Sequence, residues 1–485
     1  MLLIFLIAIR ILNALTIKTF FQPDEFWQSL EPAHKLVYGY GYTTWEWTEK
    51  LRSAAHPLIY AAVYRIADIL NIDVVVAPKI FQGIVAALGD WYMGKLATRI
   101  IGSKKEGRWA VVISLGSAFN WYCITRTFSN SLEMVLTTVA LSYWPWEAKT
   151  RVEYSQFVIG LAVAGLSCLC RPTNGLLWIA LGTHLTWKLR NMPGSLIKVL
   201  LTAGTVISIS LLVNTGIDYW YYSELTFPLI KFLQFNVVQS LSGFYGTSPF
   251  HYYVSQGLPI LLIGYLPLTV HQLWLSRNTV TGRLIFFIIF MYSLLNHKEV
   301  RFIYPLMPFL HLLVVRATSR FSKWARIGIV ATMILGINAP TAFYFTQYHQ
   351  RGVIDVIDYL RYDPYVKSVG FLVPCHSTPW QSHLHRPDIE AWFLTCEPPI
   401  HIESSQERAS YRDVADQFYD DPINFLDTHF PGDYSWPSHL VIFEHMDPVL
   451  KRYLAPHYVK HATFFNSHFH DDYRRQGNVI VYKSV

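Results

Sequence analysis

The chain has 485 residues, of which 52% are hydrophobic, 16% aromatic and only 15% charged, with a mean hydropathy of +0.25. A soluble globular enzyme carries about a quarter of its residues as charges, so this composition excludes one. The formal net charge of +7 comes from Lys and Arg scattered among short connections; with no basic face interleaved with aromatics, it does not describe a nucleic-acid binder.

Residues 2–17 are apolar except for Arg10 and Asn13, and no small-residue cleavage site comes after them, which predicts an uncleaved membrane anchor and not a signal peptide. Residues 18–53 are polar and aromatic, and Pro23, Pro32, Gly39 and Gly41 mark them as a large loop with short helices. Crossing a bilayer takes roughly 17 to 25 apolar residues per helix. Candidate runs lie near 54–70, 75–98, 109–123, 130–146, 156–170, 173–188, 197–217, 254–274, 283–296, 302–316 and 325–345. With the first segment they predict a polytopic α-helical membrane protein of roughly ten to twelve helices. Lys104, Lys105 and Arg108 ask for the cytosolic side, yet counting every run as a full span puts them on the side of the first loop. Either one early run is a half-helix or the charge rule fails here.

From about residue 347 acids, His, Pro and Tyr become more frequent and span-length apolar runs end. The runs SVGFLVP, SHLVIFE and NVIVYKSV, bounded by Pro, Gly and Asn, read as strands. The predicted organisation is a membrane part over 1–346, containing the first loop at 18–53, and a small mixed α/β domain over 347–485 on one membrane face. Cys168 and Cys170 lie in an apolar helical pattern and behave as small hydrophobes. Cys375 and Cys396 lie in the polar C-terminal region and would pair if that region faces an oxidising compartment.

The first loop opens with FQPDEFWQSLE, residues 21–31. Proline suits the first helical position and acids in the first turn complement the helix dipole. On a regular helix Asp24, Gln28, Glu31 and Lys35 form one stripe and Phe26, Leu30, Ala33 and Val37 another, the pattern of an amphipathic interfacial helix. The catalytic reading makes one carboxylate a general base; neighbouring helical side chains diverge by about 100°, so Asp24 and Glu25 cannot both serve one hydroxyl. Next, Tyr40, Tyr42, Trp45 and Trp47 alternate with polar groups, which suits either the membrane interface or sugar rings, and Glu46, Glu49 and Arg52 favour the substrate reading.

Three patches sit at span ends. TRTFSNSLE joins Arg126 to Asn130 and Glu133; FYGTSPFHYYVSQGLP, with Tyr245 and His251, has the composition of a substrate-facing loop; NHKEVRFIYPLMP gathers His297, Lys298, Glu299 and Arg301. Such cations either anchor a cytosolic face or hold phosphate at the membrane surface; Arg126 and Arg171 share that reading. The chain has no Walker loop, GxGxxG, HExxH or Asp-x-Asp; the nearest to the last is Asp388-Ile-Glu390. A metal-dependent nucleotide-sugar enzyme is therefore disfavoured, and His468-Phe-His470-Asp471-Asp472 lacks the further spacing a metal site needs.

Taken together, FQPDEFWQSLEPAHKLVYGYGYTTWEWTEKLRS, CITRTFSNSLE, FYGTSPFHYYVSQGLP, HKEVRFIYPLMP and PCHSTPWQSHLH resemble the third-mannose branch of the glycosylphosphatidylinositol (GPI) mannosyltransferases, in glycosyltransferase family 22. Cys375-His-Ser-Thr-Pro379 is especially characteristic. Other family 22 members, acting on lipid-linked oligosaccharide or adding the fourth GPI mannose, look similar around Asp24 and Glu25 but lack Trp45-Glu-Trp47 combined with Cys-His-Ser-Thr-Pro.

The resemblance implies a GT-C fold in the endoplasmic reticulum membrane with a luminal active site. It implies dolichyl phosphate mannose as donor, a GPI precursor lipid carrying two mannoses as acceptor, and an α-1,2-linked product made with inversion. It makes Asp24 the first choice of base and Glu25 the second. Arg52, Arg126, His297, Lys298 and Arg301 become the expected phosphate ligands, and Gln28, Trp45, Glu46, Trp47, Tyr245 and His251 the expected sugar contacts. No metal or other cofactor is expected, because the leaving phosphate is already a stable anion. The luminal placement is also compatible with a Cys375–Cys396 disulfide. A transporter or flippase, the rival from another class, would put charges at mid-span and show related halves; neither is visible, and a non-catalytic scaffold would transfer no mannose.

Overall fold

The computed structural model describes residues 1–146, 152–235, 244, 246–400, 402, 404–430 and 432–485. A helix coincides with each apolar run named above. Among the described residues Pro193–Tyr222, Tyr253–Leu275, Val300–Thr318 and Lys323–Tyr362 are long and apolar enough to cross a bilayer, and Leu2–Thr16, Tyr154–Cys170 and Val280–Ser293 are shorter apolar helices. The run at 109–123 is two helices, Lys104–Leu115 and Ala118–Cys123, the second capped by Ser117, whose hydroxyl accepts from the Asn120 N–H. Gly116 lies between them, and a Cβ there would sit 2.3 Å from Ile334 Cδ1, so the close approach demands glycine.

The chain divides into two compact units. The first comprises Met1–Leu15, Glu46–Val63 and Val76–Ala342; the second comprises Thr16–Trp45, Tyr64–Val75 and Phe343–Val485. This differs from a linear division at residue 346: most of the first loop clusters with the C-terminal region, because its aromatic and acidic side chains find their partners there.

In the first unit apolar side chains face outward as well as into the core, as a membrane solvent allows. Phe5, Leu12, Leu201 and Leu212 are exposed, while Arg10 and Asn13 are fully buried. Arg10 is held bidentately by Asp90, with Nε–Oδ2 at 2.6 Å and Nη2–Oδ1 at 3.1 Å. Ser114 Oγ donates to Asp90 Oδ1, Asn120 donates to Ser114, and Tyr304 donates to Asn120. Charges inside an apolar solvent persist only when paired and hydrogen-bonded in this way.

The second unit contains five strands, β1 (Ser368–Leu372), β2 (Glu390–Phe393), β3 (His439–Phe443), β4 (Tyr458–Phe464) and β5 (Val479–Ser484). Their order is β2-β1-β3-β5-β4; β1 is parallel to β2 and β3, and the β3–β5 and β5–β4 pairs are antiparallel. Leu372, Leu440, Ile442 and Ile480 pack with Phe418, Phe425 and Leu450 from the neighbouring helices to form the core.

Candidate active site

Pro23 starts the helix that carries the acids: its carbonyl accepts from the Phe26 and Trp27 N–H groups. The helix then widens to a π-turn over Phe26–Leu30, closed by the Glu31 N–H on Phe26 O, before the regular helix Glu31–Tyr38. A π-turn inserts a residue and shifts the phase of the residues beyond it, and such turns are frequent at functional sites. The single stripe expected from a regular helix is therefore broken. Asp24 and Gln28 are half-buried, Glu31 is fully buried and Lys35 is exposed, so the four do not line one face. Glu25, one residue from Asp24, is 8% exposed.

The partner of this helix is the Cys-His-Ser-Thr-Pro segment. Trp27 Nε1 donates to Thr378 O at 2.9 Å, and its ring lies 4.4 Å from His376 and 5.0 Å from Phe393. Glu31 Oε1 accepts from the Trp380 and Ser382 N–H groups, each at 3.0 Å. Burial nevertheless pushes the Glu31 carboxyl up to about 7, against those hydrogen bonds. Cys375 and Cys396 are joined in a disulfide with their Cα atoms 5.9 Å apart. His376 has a left-handed backbone, φ 55. It is held neutral by burial, which lowers it to about 4 although the Asp24 charge opposes this. The ligand atoms of Cys375, His376 and Cys396 lie within 4.8 Å of one another, but the disulfide removes both thiols from metal chemistry.

One turn further along the helix lies a histidine pair that sequence reasoning missed. His34 Nδ1 meets Tyr40 O at 3.2 Å, and His34 Nε2 meets His385 Nδ1 at 2.9 Å. Carbonyl oxygens only accept, so His34 carries its proton on Nδ1 and His385 donates from its own Nδ1. Burial lowers His34 to about 4, with His385 adding to the effect.

In the first unit the phosphate candidates fall into distinct surroundings. Arg301 forms a fork on Glu299, Nε–Oε2 at 2.6 Å and Nη2–Oε1 at 2.7 Å, and His297 Nε2 meets Glu299 Oε1 at 3.1 Å. Burial opposes ionisation of Glu299, but Arg301 and His297 hold it well below the carboxylate range. Burial acts against His297 as well, and the Glu299 carboxylate raises it above the ordinary value. Lys298 Nζ donates to Ser248 O at 2.8 Å. Arg126 is buried, stacked 4.4 Å from the Tyr122 ring and donating to Tyr122 O.

Arg171, grouped with these cations from sequence, pairs with Glu133 at 3.4 Å and lies 5.5 Å from the Phe302 ring, with Arg301 5.8 Å from the same ring. Arg52 reaches Glu46 at 2.8 Å. Arg171 feels the charges of both Arg301 and Arg52, and His56, 5% exposed, faces Arg171 and Arg52. Three arginines and a histidine thus gather in one region, where Arg52, Arg171 and Arg301 are paired with Glu46, Glu133 and Glu299. Sequence reasoning missed His56 too, because a lone His before Pro carries no signal of its own. Trp47 is buried against Tyr221 at 5.8 Å, whereas Trp45 and Glu46, just before it on the same short helix, are half-buried. His251 is exposed and bonds Ser255 Oγ at 2.9 Å. Tyr245 lies outside the described residues.

The profile of the Alg9-like mannosyltransferase family matches residues 1–385. The chain belongs to this family. Among its relatives, GPI mannosyltransferase 3 of Yarrowia lipolytica is 48% identical over 99% of this chain and 96% of its own. GPI alpha-1,2-mannosyltransferase 3 of Mus musculus is 36% identical over 99% and 88%. A solved structure of similar fold is ArnT from Cupriavidus metallidurans bound to undecaprenyl phosphate, with a TM-score of 0.63 at 11% identity, covering 99% of this chain and 97% of that one. The family member described here is therefore a multi-pass membrane protein of GT-C fold.

Proposed function

We propose that this chain is an α-1,2-mannosyltransferase that moves mannose from dolichyl phosphate mannose to a GPI precursor carrying two mannoses, in the endoplasmic reticulum membrane with its active site in the lumen. The observation that carries the reading is the end-to-end match to GPI mannosyltransferase 3 relatives, among them one 48% identical over 99% of the chain. The GT-C likeness to ArnT, a protein solved with a lipid phosphate, supports a lipid-linked donor.

The donor is β-linked and the product α-linked, so one displacement with inversion suffices. A base takes the proton from the acceptor hydroxyl as its oxygen attacks the anomeric carbon. The bond from that carbon to the phosphate oxygen breaks, and the phosphate leaves as an anion needing no protonation, so neither a second carboxylic acid nor a divalent metal is required. Asp24 is the base: it is half-buried at the start of its helix and reachable, whereas Glu25 is turned into the packing. Arg52, Arg171 and Arg301 are the phosphate ligands, since fork donors gathered in one region suit a phosphate.

Analysis of lipid-linked GPI intermediates after loss of the protein tests the assignment. The expected result is accumulation of the two-mannose precursor; a block before or after that step reassigns the chain to another reaction of the family.

A further inference from the structure

Within the second unit, a cleft of about 350 Å³ is walled by Tyr42, Trp380, Ala391 and Phe393, with Gln381 and Thr395 as polar members. Ligand pockets run from about 300 to 1,000 Å³, so this one is small: it holds one or two pyranose rings and not a lipid chain. Aromatic faces beside a few hydrogen-bonding groups are what a sugar, apolar on its C–H face and polar at its rim, requires.

The polar groups fit such a ligand. Gln381 is 6% exposed, and its Oε1 is occupied by the Arg386 N–H at 3.1 Å; among the described residues no acceptor meets its Nε2. The Thr395 hydroxyl likewise has no partner among the described residues. Arg386, the one cation on the wall, is already committed. Its Nε and Nη2 fork onto Asp388, each at 2.7 Å, and its Nη1 donates to the carbonyls of Arg361 and Asp363. The cleft therefore offers donors without a free charge, which favours a neutral sugar over a phosphate.

Its position gives it a role. Tyr42, Trp380 and Phe393 also pack against the Trp27 ring, at 6.1, 6.1 and 5.0 Å, and Trp27 is three residues beyond Asp24 on the same helix. The cleft is thus one layer of rings away from the helix bearing the base. We propose that it binds a non-reacting sugar of the acceptor glycan, anchoring the chain whose terminal hydroxyl is glycosylated; the inference rests on the mannosyltransferase reading above.

Two variants of the full-length protein in nanodiscs test it. Tyr42→Ala removes a ring face, and Ala391→Leu fills the cleft without deleting any packing. For both, KM for the two-mannose GPI acceptor should rise about three- to tenfold, the scale of one aromatic contact, with KM for dolichyl phosphate mannose unchanged. Unchanged acceptor KM in a folded Ala391→Leu protein overturns the proposal, whatever becomes of Tyr42→Ala. If the unmodified protein transfers no mannose, the functional reading fails instead. The cleft is then judged by saturation-transfer NMR with methyl α-mannopyranoside, whose signal must be present in the unmodified protein and absent in Ala391→Leu for the binding claim to stand.

Discussion

Asp24 and Glu25 are sequence neighbours with different surroundings, the first half-buried and the second buried, and on the proposed mechanism that difference separates their roles. A base must reach substrate, and removing one typically costs about two to four orders of magnitude in rate. Asp24→Asn should therefore lower kcat by that amount with unchanged thermal unfolding. Glu25→Gln, changing a group turned into the protein, should lower the unfolding midpoint and leave kcat within about tenfold of normal. The reverse order in steady-state assays would move the base to Glu25. For the cations, Arg171→Lys keeps the charge but loses the fork; KM for the donor should rise about tenfold or more with the product linkage unaltered. Unchanged donor dependence would make Arg171 a structural partner of Glu133 only.

Glu31 gives a pH prediction at the same scale. Its folded carboxyl sits at about 7 against an ordinary 4.5, so between those values the folded state holds more protons than the unfolded one. Stability from this group is present below pH 4.5 and is lost as pH rises towards 7. Buried His34, lowered from 6.5 to about 4, acts oppositely: it costs stability as pH falls from 6.5 towards 4. The unfolding midpoint of Glu31→Gln, measured relative to the unmodified protein, should thus climb between pH 4.5 and 7. A difference independent of pH would contradict the assignment.

At the scale of elements, the acid-bearing helix and the Cys-His-Ser-Thr-Pro segment act as one piece. Trp27 and Glu31 tie residues 351 and 349 positions apart into one support for Asp24, and the disulfide braces the Cys-His-Ser-Thr-Pro side of it. A disulfide closing a loop of this length, with a sequence separation of 21, stabilises by about 3 kcal/mol. The double variant Cys375→Ser, Cys396→Ser should lose about 2–4 kcal/mol of stability in chemical unfolding. Two freely labelled thiols in the unreduced folded protein would exclude the bond. Helices and the strands β1, β3 and β5 were legible in the sequence because long apolar runs and β-branched runs carry their own signal. β2 has only four residues, EAWF, and β4, YVKHATF, is an edge strand largely open to solvent; neither contains enough burial to leave a pattern. The π-turn was hidden for another reason: it is imposed by packing around Trp27 and Glu31, and a regular 3.6-residue period gives no warning of it.

For the whole molecule, the helical membrane architecture was legible in the sequence, whereas the grouping of its segments into two units was not. Motifs near the ends of apolar runs singled out the candidate acids and cations, since charges beside membrane segments are costly and stand out. They did not reveal that residues 16–45 cluster with the C-terminal region, because that grouping depends on contacts between segments hundreds of residues apart. Nor did they single out His34, His56 or the aromatic cleft, each of which becomes visible only when distant side chains meet. The central claim is the transfer itself. Purified full-length protein, given dolichyl phosphate mannose and a GPI precursor bearing two mannoses, should yield a third mannose in α-1,2 linkage without added divalent metal. Failure to form that product, or formation only when a metal is supplied, would contradict the account.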